Sequence, residues 1–456
     1  MIPNRTLAAV TLTAFIVLAA PGAASAAPKS EVYIQALALV SRVPGKVEQA
    51  AAWFTKRGEK DVIPALVQAL RYSRSDNEAL VAALTALAGE SAGTTWHDWV
   101  VWQEKHPDIK PFAGFDSFKT AVMTSLDPAF IAFLYPGVAH EIRLEEIVWG
   151  GVFKDGIPAL TNPKHIAPTE ADYITNDELV FGVEINGDAR AYPLRILDWH
   201  EMFNDVIGGV PVSLAYCTLC ASGILFEADV EGRSKPFVFG SSGFLYRSNK
   251  LMYDTETNSL WNQFTGRPVV GTLTGSGIEL KTRPVVITRW SDWLKRHPET
   301  KVLSLDTGYA RDYSPGKPYG DYFASPDLMF PVAVDQSKLK AKDYVFALRG
   351  TGTQKAWPLS LFEKQPVIND TAGAVQLTLI GDARTRTVRA YRTQGQSFTA
   401  GNAADAVTLN GKAWAVTEDA LVSADGEKLH RLPGHIAYWF AWSGYLGREG
   451  EVASGG

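Results

Sequence analysis

The chain has 456 residues, with 44 lysines and arginines against 49 aspartates and glutamates, a net charge of −5 and a pI near 6.0. That balance comes without a basic run, so the electrostatic footprint of a nucleic-acid binder is missing and nucleic acid is not expected as a partner. At 46% hydrophobic residues and 13 tryptophans there is material for two or three packed domains, and two cysteines are too few to be what holds them together.

The first 26 residues carry Arg5, an apolar run from Leu7 to Ala20, a Pro21-Gly22 break and Ala24-Ser25-Ala26 before Ala27. This is the pattern of an export signal, and it predicts a mature chain from Ala27 that is periplasmic or secreted. No later stretch is long and apolar enough to span a bilayer, so no membrane span is expected after cleavage.

From Glu31 to about Leu144 the apolar residues keep a helical period. Ile63, Leu66, Val67 and Leu70 form one stripe and Leu80, Ala83, Leu84 and Leu87 another, which predicts two helices packed as a pair. Ser75 and Glu78 have capping-box spacing before the second helix, and Gly89 is placed to end it. The pattern resembles helical hairpins of the HEAT type, whose ordinary role is to cover a sheet or to hold a protein partner.

After Gly150-Gly151 the period changes to that of strands. Leu179–Ile185, the turn Asn186-Gly187 and Ala189–Tyr192 read as a hairpin, since Asn-Gly accepts the positive φ angles of a tight turn. A short helix from Leu194 to about Glu201 follows, then a strand from Val210 to Tyr216. Cys217-Thr-Leu-Cys220 comes next, and a second strand runs from Gly223. The cysteine pair therefore falls in a turn between strands.

An internal repeat appears when residues 180–216 are laid on 345–381: eleven of 37 positions are identical at a shift of 165. A second block confirms it at a shift of 149, where Leu280, Pro284, Ile287, Trp290 and Trp293 fall on Leu429, Pro433, Ile436, Trp439 and Trp442. Two copies of one unit are expected to pack about a pseudo-twofold axis, with the paired tryptophans as core anchors. Asn204-Asp205 and Asn369-Asp370, present in both, belong to the scaffold. Residues 217–220 correspond to Asp382-Ala-Arg-Thr385, and His200 to Gln365, so sulfur and imidazole are confined to the first copy.

Four readings of that asymmetry compete. A structural disulfide closing a loop of four residues contributes only about 2 kcal/mol in the chain-entropy model. Thiol–disulfide exchange is the second, although no helix follows the pair to stabilise a thiolate. The third is a metal site: Cys217, Cys220 and His200 offer two thiolates and an imidazole, a set suited to copper or zinc with one position open. The fourth is a non-enzymatic scaffold in which neither cysteine acts. Tyr216, Glu201, Asp254 and Gln263 are the polar groups to watch near the pair, and Gly240–Asn249 is either a pocket rim or an ordinary turn.

Asp155-Gly-Ile-Pro-Ala-Leu-Thr-Asn-Pro163, Gly182-Val-Glu-Ile-Asn-Gly187, Trp199-His-Glu201, Tyr216-Cys-Thr-Leu-Cys220 and Ser259-Leu-Trp261 resemble the bacterial domain-of-unknown-function family 3179 (DUF3179). The likeness runs from about Asp155 to Tyr445. It implies that Cys217, Cys220 and His200 occupy family motif positions, and it brings no assigned activity. Thr218 and Ala221 stand where the family commonly has proline and glycine.

The expectation is an α+β protein. Its predicted parts are the signal (1–26), an all-α HEAT-like domain (27–150), a β-rich copy bearing the cysteines (151–315), a degenerate second copy (316–448) and a flexible tail (449–456). The cysteine centre is expected to bind copper or zinc, with thiol redox chemistry or a structural disulfide as alternatives.

Overall fold

The computed structural model describes residues 30–73, 77–350, 352, 354–403, 405–446 and 451–453. The predicted signal and Ser75 of the predicted capping box lie outside them. Among the described residues no helix is long and apolar enough to cross a membrane.

The N-terminal part is helical, as its periodicity requires: α1 (Glu31–Ala38), α2 (Lys46–Arg57), α3 (Ile63–Tyr72), α4 (Glu78–Ala88), α5 (Trp96–Lys105) and α6 (Phe115–Leu126). The two apolar stripes are buried on α3 and α4. Gly89 ends α4 in a left-handed conformation at φ 85°, its N–H returned to Thr85 O. This region does not close a core of its own, because Phe130 and Phe133 pack on Phe244, and Phe133 also on Tyr253, from the β-rich part. Strand pairing also begins before residue 150, where Ile147–Trp149 lies antiparallel to Phe244–Tyr246.

The β-rich part repeats one order of elements twice. The first copy runs β1 (Leu179–Ile185), β2 (Asp188–Pro193), α7 (Leu194–His200), β3 (Met202–Ile207), β4 (Val210–Cys217) and β5 (Ser222–Glu227). It continues through the hairpin β6 (Phe239–Tyr246) and β7 (Asn249–Asp254) to β8 (Val286–Arg289) and α8 (Trp290–Arg296). Between the copies lies a linker whose one helix is α9 (Gly320–Ala324). The second copy runs β9 (Tyr344–Leu348), β10 (Lys355–Pro358), β11 (Val367–Ala372), β12 (Val375–Asp382) and β13 (Thr387–Arg392), then β14 (His435–Tyr438) and α10 (Trp439–Leu446). The bounds of β3, β4 and β5 reappear in β11, β12 and β13 at the shift of 165, and those of β8 in β14 at 149. Asn186 and Gly187 take φ 52° and 81° in the β1–β2 turn, as the sequence demands.

Shared residues do the same work in both copies. The Asn204 side chain pairs with the backbone N–H and C=O of Phe239, and Asn369 does so with Phe398. Asp205 accepts from Arg190 and Tyr192, and Asp370 from Lys355 and Trp357. Trp293 and Trp442 are fully buried. Trp293 lies flat on Gly182, where a Cβ would meet the ring at 2.4 Å. The segment expected to be a loose tail instead contributes a strand: Glu451–Val452 pairs in parallel with Lys355-Ala356, as Lys301-Val302 pairs with Arg190-Ala191. An exposed strand edge is satisfied that way in each copy.

The copies meet reciprocally, β5 against β14 and β13 against β8, over one core that includes Phe181, Tyr192 and Leu214 with their counterparts Phe346, Trp357 and Leu379. At the second contact Glu418 is buried between Arg389 at 2.6 Å and Arg431 at 2.5 Å, with Arg296 of the first copy at 3.4 Å. Burial opposes the Glu418 charge, yet the arginines hold its carboxyl well below the usual range. Glu418→Gln leaves those guanidiniums uncompensated, an expected loss of about 3–5 kcal/mol that a lowered urea midpoint would register. With the folded value depressed, the stabilising effect is complete above the ordinary glutamate range and is lost as pH falls through the folded value. An unchanged midpoint near pH 7 would refute this role.

Candidate functional site

The cysteine turn is set by antiparallel pairing of β4 with β5, which places Cys217 opposite Ser222 and leaves Thr218–Cys220 as a single turn of 3₁₀ helix. Side chains alternate along β4. Leu214 and Tyr216 enter the core shared by the copies, whereas Ala215 and Cys217 enter a second apolar cluster with Cys220, Phe330 and Tyr438. Both thiols are free and buried, with 2% and 0% exposure, and their sulfurs lie 2.7 Å apart.

Four non-glycine residues with left-handed backbone converge here: Glu201 (φ 55°), Ala221 (50°), Arg247 (48°) and Ser248 (60°). Each costs on the order of 1 kcal/mol, and elsewhere this region is mostly occupied by Asn or Asp, which tolerate it better. Local strain of this kind concentrates where geometry is held for a purpose. Its result is visible in the contacts. Cys220 Sγ donates to Ser248 O at 3.1 Å, so Gly240–Asn249 is both a hairpin and the rim of the site. Ala221 adopts φ 50°, ψ 26° without glycine, and Arg386 repeats that conformation in the second copy.

Beside the sulfurs, Lys250 and Glu201 form a buried ion pair at 2.6 Å, and Lys250 also reaches Ser241 Oγ at 3.3 Å. Burial pushes the Cys220 thiol well up, with Cys217 and the Glu201 carboxylate adding to the effect. Gln263 bonds Ala215 O and Ser222 O, bridging the strands that flank the turn. Asp254 serves its own hairpin, accepting from Thr257 and Trp261. Tyr216 turns to the other face and donates to Asp198 at 3.2 Å.

The linker closes the site. Tyr322 OH donates to Leu219 O at 2.8 Å, Ser248 Oγ to Phe330 O at 3.3 Å, and Lys342 Nζ to Tyr322 O and Ser325 O. Sequence reasoning missed Lys250, Tyr322 and Lys342. Lys250, a charge inside the strand Asn249–Asp254, is the only one of the three with a legible signal.

His200 does not join the sulfurs. Its Nδ1–H donates to Pro158 O at 2.8 Å and its Nε2 accepts from Tyr313 OH at 2.6 Å, while that phenol is bonded to Thr307. Burial lowers its pKa, in keeping with a neutral ring. Both nitrogens are thus spent, and among the described residues no group of three His, Cys, Asp or Glu side chains is arranged to hold a metal ion. The donor set for copper or zinc read from the sequence is not assembled here, because α7 directs the imidazole toward the linker rather than along the face that Cys217 occupies.

Asp198, buried beneath Tyr216, has its pKa pushed up to about 7, chiefly by desolvation and further by Glu201; Tyr216 and Arg386 oppose the shift. A raised folded value favours folding fully below the ordinary aspartate range, so stability should fall as pH rises from about 4 to about 7, by up to about 4 kcal/mol. Asp198→Asn should remove that slope. An identical slope in denaturation of wild type and variant across this window would contradict it.

These features define a duplicated α+β protein with a covered dithiol turn in one copy. The model of the family described as "Protein of unknown function (DUF3179)" matches residues 154–448, and the chain belongs to that family. No curated protein and no solved structure matches it.

Proposed function

We propose that Cys217 and Cys220 act as a thiol–disulfide couple in an exported protein. The observation that carries this reading is the approach of two free sulfurs to 2.7 Å in a turn held by strained backbone, with the one suggested imidazole committed elsewhere. Reduction of the Cys217–Cys220 disulfide by a partner dithiol breaks the Sγ–Sγ bond and joins the partner's sulfurs. The partner supplies two electrons, and its two protons pass to Cys217 and Cys220. The Tyr322 cover makes exchange depend on linker movement. A structural staple is the second reading, and the burial of both sulfurs favours it.

The export signal fits a compartment in which such a couple meets oxidants. The reciprocal β5/β14 and β13/β8 contacts support a pseudo-twofold relation of the copies. The helical layer, with its HEAT-like stripes, is the surface proposed for a protein partner.

Thiol titration and metal assay on one natively purified sample test the reading. Expected are metal-free protein and a Cys217–Cys220 disulfide that forms and is reduced reversibly by a dithiol, lost in Cys217→Ser and Cys220→Ser. Tyr322→Phe should speed alkylation of the reduced pair severalfold. Stoichiometric copper or zinc that disappears with Cys217→Ser would restore the metal reading. A disulfide inert to mild dithiol would leave only the staple.

A further inference from the structure

The duplication builds the cysteine junction twice, and the second version is open. In the first, the Cys217–Cys220 turn is buried in one apolar cluster with Tyr438 of the other copy. At the repeat shifts, Cys217 corresponds to Asp382, Leu219 to Arg384, Cys220 to Thr385 and Ile224 to Arg389. On the facing copy, Tyr438 corresponds to Arg289, Gly444 to Lys295 and Tyr445 to Arg296. These counterparts line a cleft of about 520 Å³ between β8–α8 and the turn after β12. Apolar filling at one junction is replaced by basic side chains at the other.

Among the side chains that line this cleft cations outnumber carboxylates: Arg289, Lys295, Arg296, Arg384 and Arg389 stand with Asp292, Asp382 and Asp405. Arg289 also pairs with Asp177 at 3.8 Å, outside the lining. Behind them Arg296, Arg389 and Arg431 share Glu418, three guanidiniums to one carboxylate. Arg431 Nε is buried without a hydrogen-bond partner among the described residues, and Arg296 Nε has only its 3.4 Å ion pair with Glu418. Burial and the neighbouring Arg389 both push the Arg296 pKa down. Guanidiniums gathered this closely on one carboxylate stay charged at the cost of mutual repulsion, and an anion entering beside them relieves it. Arg384 and Lys295 are exposed there, where Arg384 pairs only with the half-buried Asp382 and Lys295 has no ion pair among the described residues.

We infer that the cleft between α8 and the Asp382–Thr385 turn binds a compact doubly charged oxyanion of the phosphate or sulfate type. The site is independent of the thiols: it is the counterpart of their seat, recast for charge after duplication. Thr385 and Thr387, bonded to each other at 2.8 Å, supply hydroxyls on its floor.

Inorganic phosphate and, separately, sulfate should be titrated calorimetrically into the full chain at constant ionic strength, with chloride as the control. Saturable one-site binding is expected. It should weaken by about tenfold in Lys295→Ala and in Arg384→Ala, the loss of one charge-assisted contact each, and be unchanged in Cys217→Ser. Both substituted side chains are exposed, so folding is not at stake. Heats indistinguishable from the chloride control would overturn the inference. So would binding of undiminished strength in both variants.

Discussion

The site rests on the antiparallel pairing of Val210–Cys217 with Ser222–Glu227. Once Cys217 stands opposite Ser222, only four residues remain to reverse the chain, and the last of them must turn left-handed. Alternation along the strand then sends Tyr216 into the core common to both copies and Cys217 into the cluster under the linker. Sulfur chemistry and core packing are thereby carried by adjacent residues on opposite faces of one sheet.

The same pairing occurs in the second copy, with the same turn and the same left-handed residue, so the geometry is not a consequence of the cysteines. What distinguishes the copies is the environment laid over the turn. In the first it is Tyr322, Phe330 and Tyr438, which exclude water and keep a thiol protonated. In the second it is Arg289, Lys295 and Arg296, which line an open cleft. Duplication has given one backbone frame two dielectric regimes, and each suits a different class of chemistry.

Burial beside charge accounts for three pairings near the sulfurs, although the Thr218 hydroxyl and the Asn249 amide are buried there without a hydrogen-bond partner among the described residues. Lys250 offsets Glu201, Tyr216 bonds Asp198, and Gln263 satisfies backbone carbonyls on both sides of the turn. A buried polar group without such a partner costs free energy comparable to a lost hydrogen bond. The strained residues Glu201, Arg247 and Ser248 are the means by which the partners are brought into reach.

Much of this was fixed by sequence alone. Local periodicity determined the helices from Glu31 onward, the Asn186-Gly187 hairpin and the strand–turn–strand around Cys217. Identity at two constant shifts determined the duplication, because aligned residues in equal copies must occupy equal places. Tertiary structure decided the rest. His200 is one residue from Glu201, yet the helix ending there turns the imidazole toward Pro158 and Tyr313, so its loss together with the cysteines in the second copy did not mean contact with them. Ser248 and Tyr322 reach the turn across 28 and 103 residues of chain, and no periodic signal links them to it. A side chain's neighbours across the fold depend on which faces bury against which, and that is settled only when the copies, the linker and the helical layer close over one another.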